Sequence, residues 1–153
     1  MITIEEYFGE FSGHPDATPE RKAAAAAMLE KVNALRVEAE ADGVVFERNP
    51  KTGTFISGTG HGGFRPENCD IGADHSTHKD ARAVDNYDPL RRFAQWCVNH
   101  PERLVARDLH REREEWTPTW VHLQDVPPRS GKVAYVPSSG PPLAAALNVG
   151  ALA

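Results

Sequence analysis

The stretch Asp74-His75-Ser76-Thr77-His78-Lys79-Asp80-Ala81-Arg82-Ala83-Val84-Asp85 gathers imidazoles and carboxylates within a dozen residues, and Trp120-Val121-His122-Leu123-Gln124 carries another imidazole in a β-prone run. Two imidazoles and a carboxylate are the donors that zinc takes when three protein groups hold it and a fourth position is left to water. His78 on a loop and Asp85 at the end of a short strand can converge if Ala81 and Ala83 let the backbone pack closely. Strand alternation places Trp120, His122 and Gln124 on one face, the face a metal would need. Of the seven histidines, His14, His100 and His110 read as ordinary surface residues. The two cysteines, Cys69 and Cys97, lack a CxxC spacing, which excludes a closed, thiolate-rich zinc site.

These groups need elements to position them. Met1 to Glu10 holds Ile2, Ile4, Tyr7 and Phe8, enough for a short element packed on the core, and Ser12 to Thr18 reads as a loop. Thr18 as N-cap, Pro19 at the first helical position and the alanine-rich run from Ala23 predict a helix over residues 19 to 41, with Met28, Leu29, Val32 and Leu35 as its apolar stripe and Gly43 as its stop. Val44-Val45-Phe46 and Thr54-Phe55-Ile56 around Asn49-Pro50-Lys51-Thr52-Gly53 predict a β-hairpin. Gly58 to Gly72 is glycine-rich and irregular. Beyond it the pattern predicts a buried strand within Ala81 to Tyr87, a helix over Pro89 to Asn99, and strands at Trp120 to Leu123 and Val133 to Val136. The charged stretch Arg103 to Glu115 reads either as an excursion or as a short helix. Ser138 to Ala153 reads as a surface tail behind a single domain over residues 1–137.

A chain of 153 residues, 40% apolar and 25% charged, suits one domain. A net charge of -5 argues against binding a phosphate backbone, so no nucleic-acid partner is expected. No run of about 18 apolar residues suggests a membrane span. Met1 to Glu10 is too acidic to read as a secretory signal, so the expected location is cytoplasmic.

Ser76-x-His78-x-x-Ala81-x-Ala83-x-Asp85 resembles the Ser-x-His-x-x-Gly-x-Ala-x-Asp signature of the zinc D-alanyl-D-alanine peptidases, and Trp120-Val121-His122 resembles their Trp-x-His element. Gly63-Phe64-Arg65, with Asn68 shortly after, is similar to the aromatic-Arg segment before the first ligand. That superfamily spans D,D-carboxypeptidases, vancomycin-resistance dipeptidases, phage endolysins and the hedgehog signalling domain. The resemblance implies an α+β domain with a small antiparallel sheet and packed helices, zinc on His78, Asp85 and His122, and cleavage of peptidoglycan peptides. His75 competes with His78, but only His78 fits the seven-residue interval to Asp85.

Arg65 is the candidate to bind a substrate carboxylate or steady an oxyanion. Asn68, Ser76, Trp120, His61 and His75 are the candidates to line the substrate site. Two departures stand out. The signature's glycine is Ala81, a mild change unless that backbone needs a positive φ. Many active members carry an acidic residue three positions before the last histidine, where this chain has Thr119, so Glu115 or Glu114 is the candidate general base. The same departure admits a rival reading, a non-catalytic zinc-binding phage or virion module that keeps the fold and the metal.

Overall fold

A computed structural model describes residues 1–137; the tail expected over 138–153 lies outside the described residues. Among the described residues the architecture is mixed α+β, three short helices and two 3-10 turns around one long helix and a small open sheet. At the N-terminus, a capping box between Thr3 and Glu6 starts α1 (Ile4–Phe8), which buries Tyr7 and Phe8. Tyr7 is a two-way tie: its carbonyl accepts the Phe64 N–H (3.1 Å) and its hydroxyl donates to the Ala83 carbonyl (2.9 Å).

The long helix α2 (Pro19–Ala41) forms where the sequence predicts it, with the Thr18 hydroxyl accepting the Arg21 N–H. It buries Ala25, Met28, Leu29, Val32, Leu35 and Ala39. It also buries Arg36, whose guanidinium lies 3.9 Å from the Phe46 ring centroid, 5.0 Å from that of Phe55, and donates to Asn86 Oδ1 at 3.0 Å.

Around Arg36 the expected hairpin is overturned. The turn at Asn49–Gly53 is present, with the Gly53 N–H donating to the Asn49 carbonyl (2.7 Å), but Val44–Phe46 and Thr54–Ile56 do not form a ladder. Phe46 and Phe55 flank the buried cation instead of pairing with each other. Residues 55–57 lie along the free edge of β1 (Ala83–Tyr87), where Tyr87 N–H donates to the Phe55 carbonyl and Ser57 N–H to the Asp85 carbonyl, both at 2.9 Å. An isolated two-stranded hairpin is marginal in water, and an edge of the main sheet offers better-buried partners.

β1 pairs antiparallel with β3 (Trp120–Gln124), β3 pairs antiparallel with β2 (His110–Glu112), and β4 (Ala134–Tyr135) runs parallel to β2, giving the order β1-β3-β2-β4. The sheet is therefore mixed rather than wholly antiparallel. β3 ends at Gln124 opposite His110, the start of β2, and the connection over residues 125–133 returns the chain at that same end, so β4 sets out in the direction of β2. The stretch read as an excursion or short helix holds α4 (Pro101–Val105), the whole of β2 and a 3-10 turn at Glu114–Trp116. The helix before it, α3 (Arg92–Asn99), starts later than the expected Pro89. Arg91 takes a φ of +58° ahead of it, and the Asp88 carboxylate caps the first turn by accepting the Phe93 and Ala94 N–H groups.

Ala81 carries the turn into β1 at φ +58° with no exposed surface. An L-residue there bears a strain of ~1–2 kcal/mol. Ala81→Val adds branching and volume at a site with room for neither, and should lower the unfolding free energy by roughly 2–4 kcal/mol in urea titrations. Ala81→Gly relieves the strain but loses a buried methyl worth ~0.8 kcal/mol and loosens the unfolded chain, so it should stay within about 1 kcal/mol of the parent. A valine variant of parental stability would contradict this backbone.

Candidate metal centre

The site begins with the backbone of Asp85. Its N–H donates to the Gly62 carbonyl (2.8 Å) and its carbonyl accepts from Ser57, so both groups face the 57–62 loop rather than β3. Asp85 and His122 are thus opposite one another as a non-hydrogen-bonded antiparallel pair, the kind with the shorter cross-strand separation. The side chains meet directly, His122 Nδ1 lying 2.9 Å from Asp85 Oδ1.

His78 arrives from the loop before Ala81 and brings Nε2 to 3.3 Å from the same oxygen. The three residues are buried, and one donor atom from each lies within 4.8 Å of the others. Bonds of 2.0–2.1 Å at tetrahedral angles separate ligand atoms by about 3.3 Å, so the residues fit a metal ion with little movement. Among the described residues, this is the group of three or more metal-binding side chains that converges in this way.

The ring nitrogens turned away from Asp85 are also engaged. His78 Nδ1 lies 2.8 Å from the Gly63 carbonyl, which can only accept, so Nδ1 carries a proton and Nε2 is the nitrogen presented to Asp85. His122 Nε2 lies 2.9 Å from Gln124 Oε1. The Gln124 amide is oriented by its own Nε2 donating to the Val126 carbonyl (2.6 Å), and its oxygen also accepts from Tyr135 (2.6 Å) and Thr77 (3.2 Å). Such acceptors fix the tautomer and direction of a metal-binding imidazole.

Gly62 and Gly63 are required by space. A Cβ on Gly62 would come within 2.3 Å of the Ser57 carbonyl oxygen, and one on Gly63 within 2.2 Å of the Tyr7 carbonyl oxygen. The two carbonyls that hold Asp85 and His78 therefore come from residues that no side chain could replace without displacing α1 or the loop.

Burial alone would raise the Asp85 carboxyl, but His78 and His122 outweigh it and hold the group well below the usual carboxylate range. Burial pushes His78 down against the pull of Asp85. Burial also opposes a charge on His122, yet Glu112, Asp85 and Gln124 together raise it to about 9. Both His122 nitrogens face acceptors, as an imidazolium requires.

Arg65 serves as a brace. Nε donates to the His61 carbonyl (2.6 Å), Nη1 to the Ile71 carbonyl (3.1 Å), and Nη2 lies 3.5 Å from Asp85 Oδ2. Of the expected substrate-lining residues, Ser76 turns its hydroxyl to the His78 N–H (3.3 Å), His61 packs near Phe11, Trp120 is half-buried opposite Tyr87, and Asn68 and His75 are exposed. The carboxylate expected from Glu115 or Glu114 is not brought to the triad. Glu115 pairs with Arg113 (2.7 Å), Glu114 pairs with Arg111 (2.8 Å), and Thr119 is exposed.

Sequence reasoning missed Glu112. His110 opposes Gln124 and Arg111 opposes Leu123, so the register carries Glu112 to the place beside His122, on the side away from Asp85. Glu112 in turn pairs with Tyr135. Asp85, His122, Glu112 and Tyr135 form one row across four strands, all on one face. The available signal was the interval of ten residues to His122, which has meaning only once β2 is known to pair with β3.

Comparison with protein-family models, with curated proteins and with solved structures finds no match to this chain.

Two outcomes follow from this geometry. Gly63→Ala should shift the His78 acceptor and weaken metal binding by about 10- to 100-fold in calorimetric titration. Because a metal must displace the His122 proton, the apparent affinity should rise about tenfold per pH unit from pH 7 to 9, with one proton released per ion as counted in buffers of different ionisation enthalpy. A pH-independent affinity over that range would show that His122 binds no proton in the metal-free site.

Proposed function

We propose that this chain is a zinc-dependent hydrolase of peptide bonds, with the peptides of peptidoglycan as its substrate class. The observation that carries the reading is the ligand set itself: His78, Asp85 and His122 converge with both spare ring nitrogens already held by acceptors. Two imidazoles and one carboxylate suit zinc, and three protein ligands leave a position for water. The substrate class rests on the resemblance of the Ser76–Asp85 and Trp120–His122 segments to the D-alanyl-D-alanine peptidases.

When bound, zinc would lower the pKa of a coordinated water toward ~7 and polarise a carbonyl. The chain's own contribution is order. Gly63 and Gln124 set the two imidazoles, and Arg65 and the backbone of Gly62 set Asp85. Tyr135, whose hydroxyl burial and the nearby Glu112 push well above its ordinary range, stays a donor to Gln124. Action on peptidoglycan would place the protein at the cell wall, after release or on a virion. Among the described residues no helix is long and apolar enough to cross a membrane.

A second reading, a non-catalytic zinc-binding phage or virion module, is favoured by the burial of the ligands, which are 2%, 8% and 5% exposed for His78, Asp85 and His122. One experiment separates the two. Purified protein loaded with zinc and incubated with peptidoglycan should release new amino groups and shortened muropeptides by mass spectrometry, and a chelator should abolish the release. Stoichiometric zinc without cleavage of any D,D- or L,D-type bond would establish the second reading, and retention of zinc by His78→Ala and His122→Ala variants would refute both.

A further inference from the structure

A hydrolase of this kind needs a group that takes a proton from the attacking water and returns it to the leaving nitrogen. The neighbouring carboxylates are otherwise engaged. Asp85 sits between the two imidazoles, Asp88 caps α3, Asp125 pairs with Arg82 at 2.5 Å, and Glu114 and Glu115 pair with Arg111 and Arg113.

Glu112 stands apart. It is half-buried, it makes no side-chain hydrogen bond or ion pair among the described residues, and it projects from the face that carries His122 and Gln124. The alternation of β2 confirms the direction, since Arg111 between His110 and Glu112 is buried on the other side. Neighbouring strands are about 4.8 Å apart, so a glutamate directly across from His122 reaches the rim of the ligand triad.

We infer that Glu112, from the strand on the far side of His122, is the proton acceptor for the attacking water and the proton donor to the leaving amine. The inference rests on the hydrolase reading. One water proton passes to a Glu112 oxygen as the water lone pair forms the bond to the carbonyl carbon and the carbonyl π pair moves onto its oxygen. That oxyanion re-forms the carbonyl as the C–N bond breaks, the proton passes from Glu112 to the departing nitrogen, and the new carboxylic acid releases its own proton to solvent. A glutamate ten residues before the last histidine thus does the work that Thr119 cannot.

The test uses the full chain loaded with cobalt(II), with acetohydroxamate as a probe that occupies an exchangeable metal position and donates a hydrogen bond to an adjacent carboxylate. Visible absorption reads the affinity for the probe, and chelator competition reads the affinity for cobalt. Glu112→Gln should lose no more than about threefold in cobalt affinity, since removing its pull on the His122 proton favours the metal, bind acetohydroxamate at least about tenfold more weakly, and release amino groups from peptidoglycan ~10²- to 10⁴-fold more slowly in the zinc form. Equal affinity of parent and variant for the probe would overturn the assignment. So would a large loss of cobalt, which would make Glu112 a ligand. If the parent itself takes up no acetohydroxamate, the metal has no exchangeable position, and the hydrolase reading falls together with the role of Glu112. If the probe discriminates as expected while the parent leaves peptidoglycan intact, the role of Glu112 stands and only the substrate class is refuted.

Discussion

The Asp85 carboxylate, held between two imidazoles in the interior, is the constraint around which the rest is arranged. A buried carboxylate is costly unless charge and hydrogen bonds compensate for the lost water. Compensation for the carboxylate comes from three directions, His122 from β3, His78 from the loop before β1 and Arg65 from the glycine-rich segment, while the Gly62 carbonyl and Ser57 N–H fix its backbone. Each partner is fixed in turn by a more distant part of the chain. Tyr7 of α1 accepts the Phe64 N–H and donates to the Ala83 carbonyl, so the first helix sets the spacing between the Gly63–Arg65 segment and β1. Withdrawing any one partner leaves a charge that its neighbours were placed to balance.

Much of this was legible in the sequence wherever the information was local. The helix over Pro19–Ala41 follows from its cap, its proline and its alanines, and the His78 to Asp85 interval follows from a loop running straight into a strand. What was not legible depended on pairing across the fold. β2 is three residues long, His110-Arg111-Glu112, without an apolar side chain, and its strand character comes from ladder bonds to β3 and β4 rather than from any pattern of its own. Glu112 was hidden for the same reason. The hairpin over 44–56 failed in the opposite sense. Its local signals were good, but Phe46 and Phe55 were drawn to the buried Arg36 and residues 55–57 to the edge of β1. A buried arginine in the middle of an alanine-rich helix has no sequence pattern that separates it from a solvated one.

The two departures from the peptidase signature have different weights once placed in the fold. Ala81 sits at a positive φ that glycine would adopt without strain, but its buried methyl offsets most of that cost; the strain is borne by a turn whose Ala81 and Arg82 N–H groups donate to the His78 and Thr77 carbonyls. The turn delivers His78 and Asp85 to the same point, and its strain is the cost of that convergence. Thr119 is less consequential than it looked, because it is exposed just outside the β3 ladder while the row Asp85, His122, Glu112, Tyr135 offers another carboxylate on the correct face. A sheet face can supply the same group from either neighbouring strand, and only the register reveals which.

The same row explains how the site is ready before a metal arrives. In small zinc modules the ion is needed for folding, since without it the ligands repel or strand one another. Here a proton on His122 would compete with the ion for the same ring. It is held by Asp85 on one side and Gln124 on the other, and Glu112 adds the largest upward pull on that ring. Meanwhile a core of Phe8, Met28, Leu35, Phe64, Phe93, Leu109 and Leu123 is closed without reference to the site. A divalent ion held by His78 Nε2, Asp85 Oδ1 and His122 Nδ1 would exchange with one proton, its donors already lying within 4.8 Å of one another. Metal binding would then be a local exchange on a finished scaffold, with its strength set by the acceptors behind the two rings rather than by the free energy of folding.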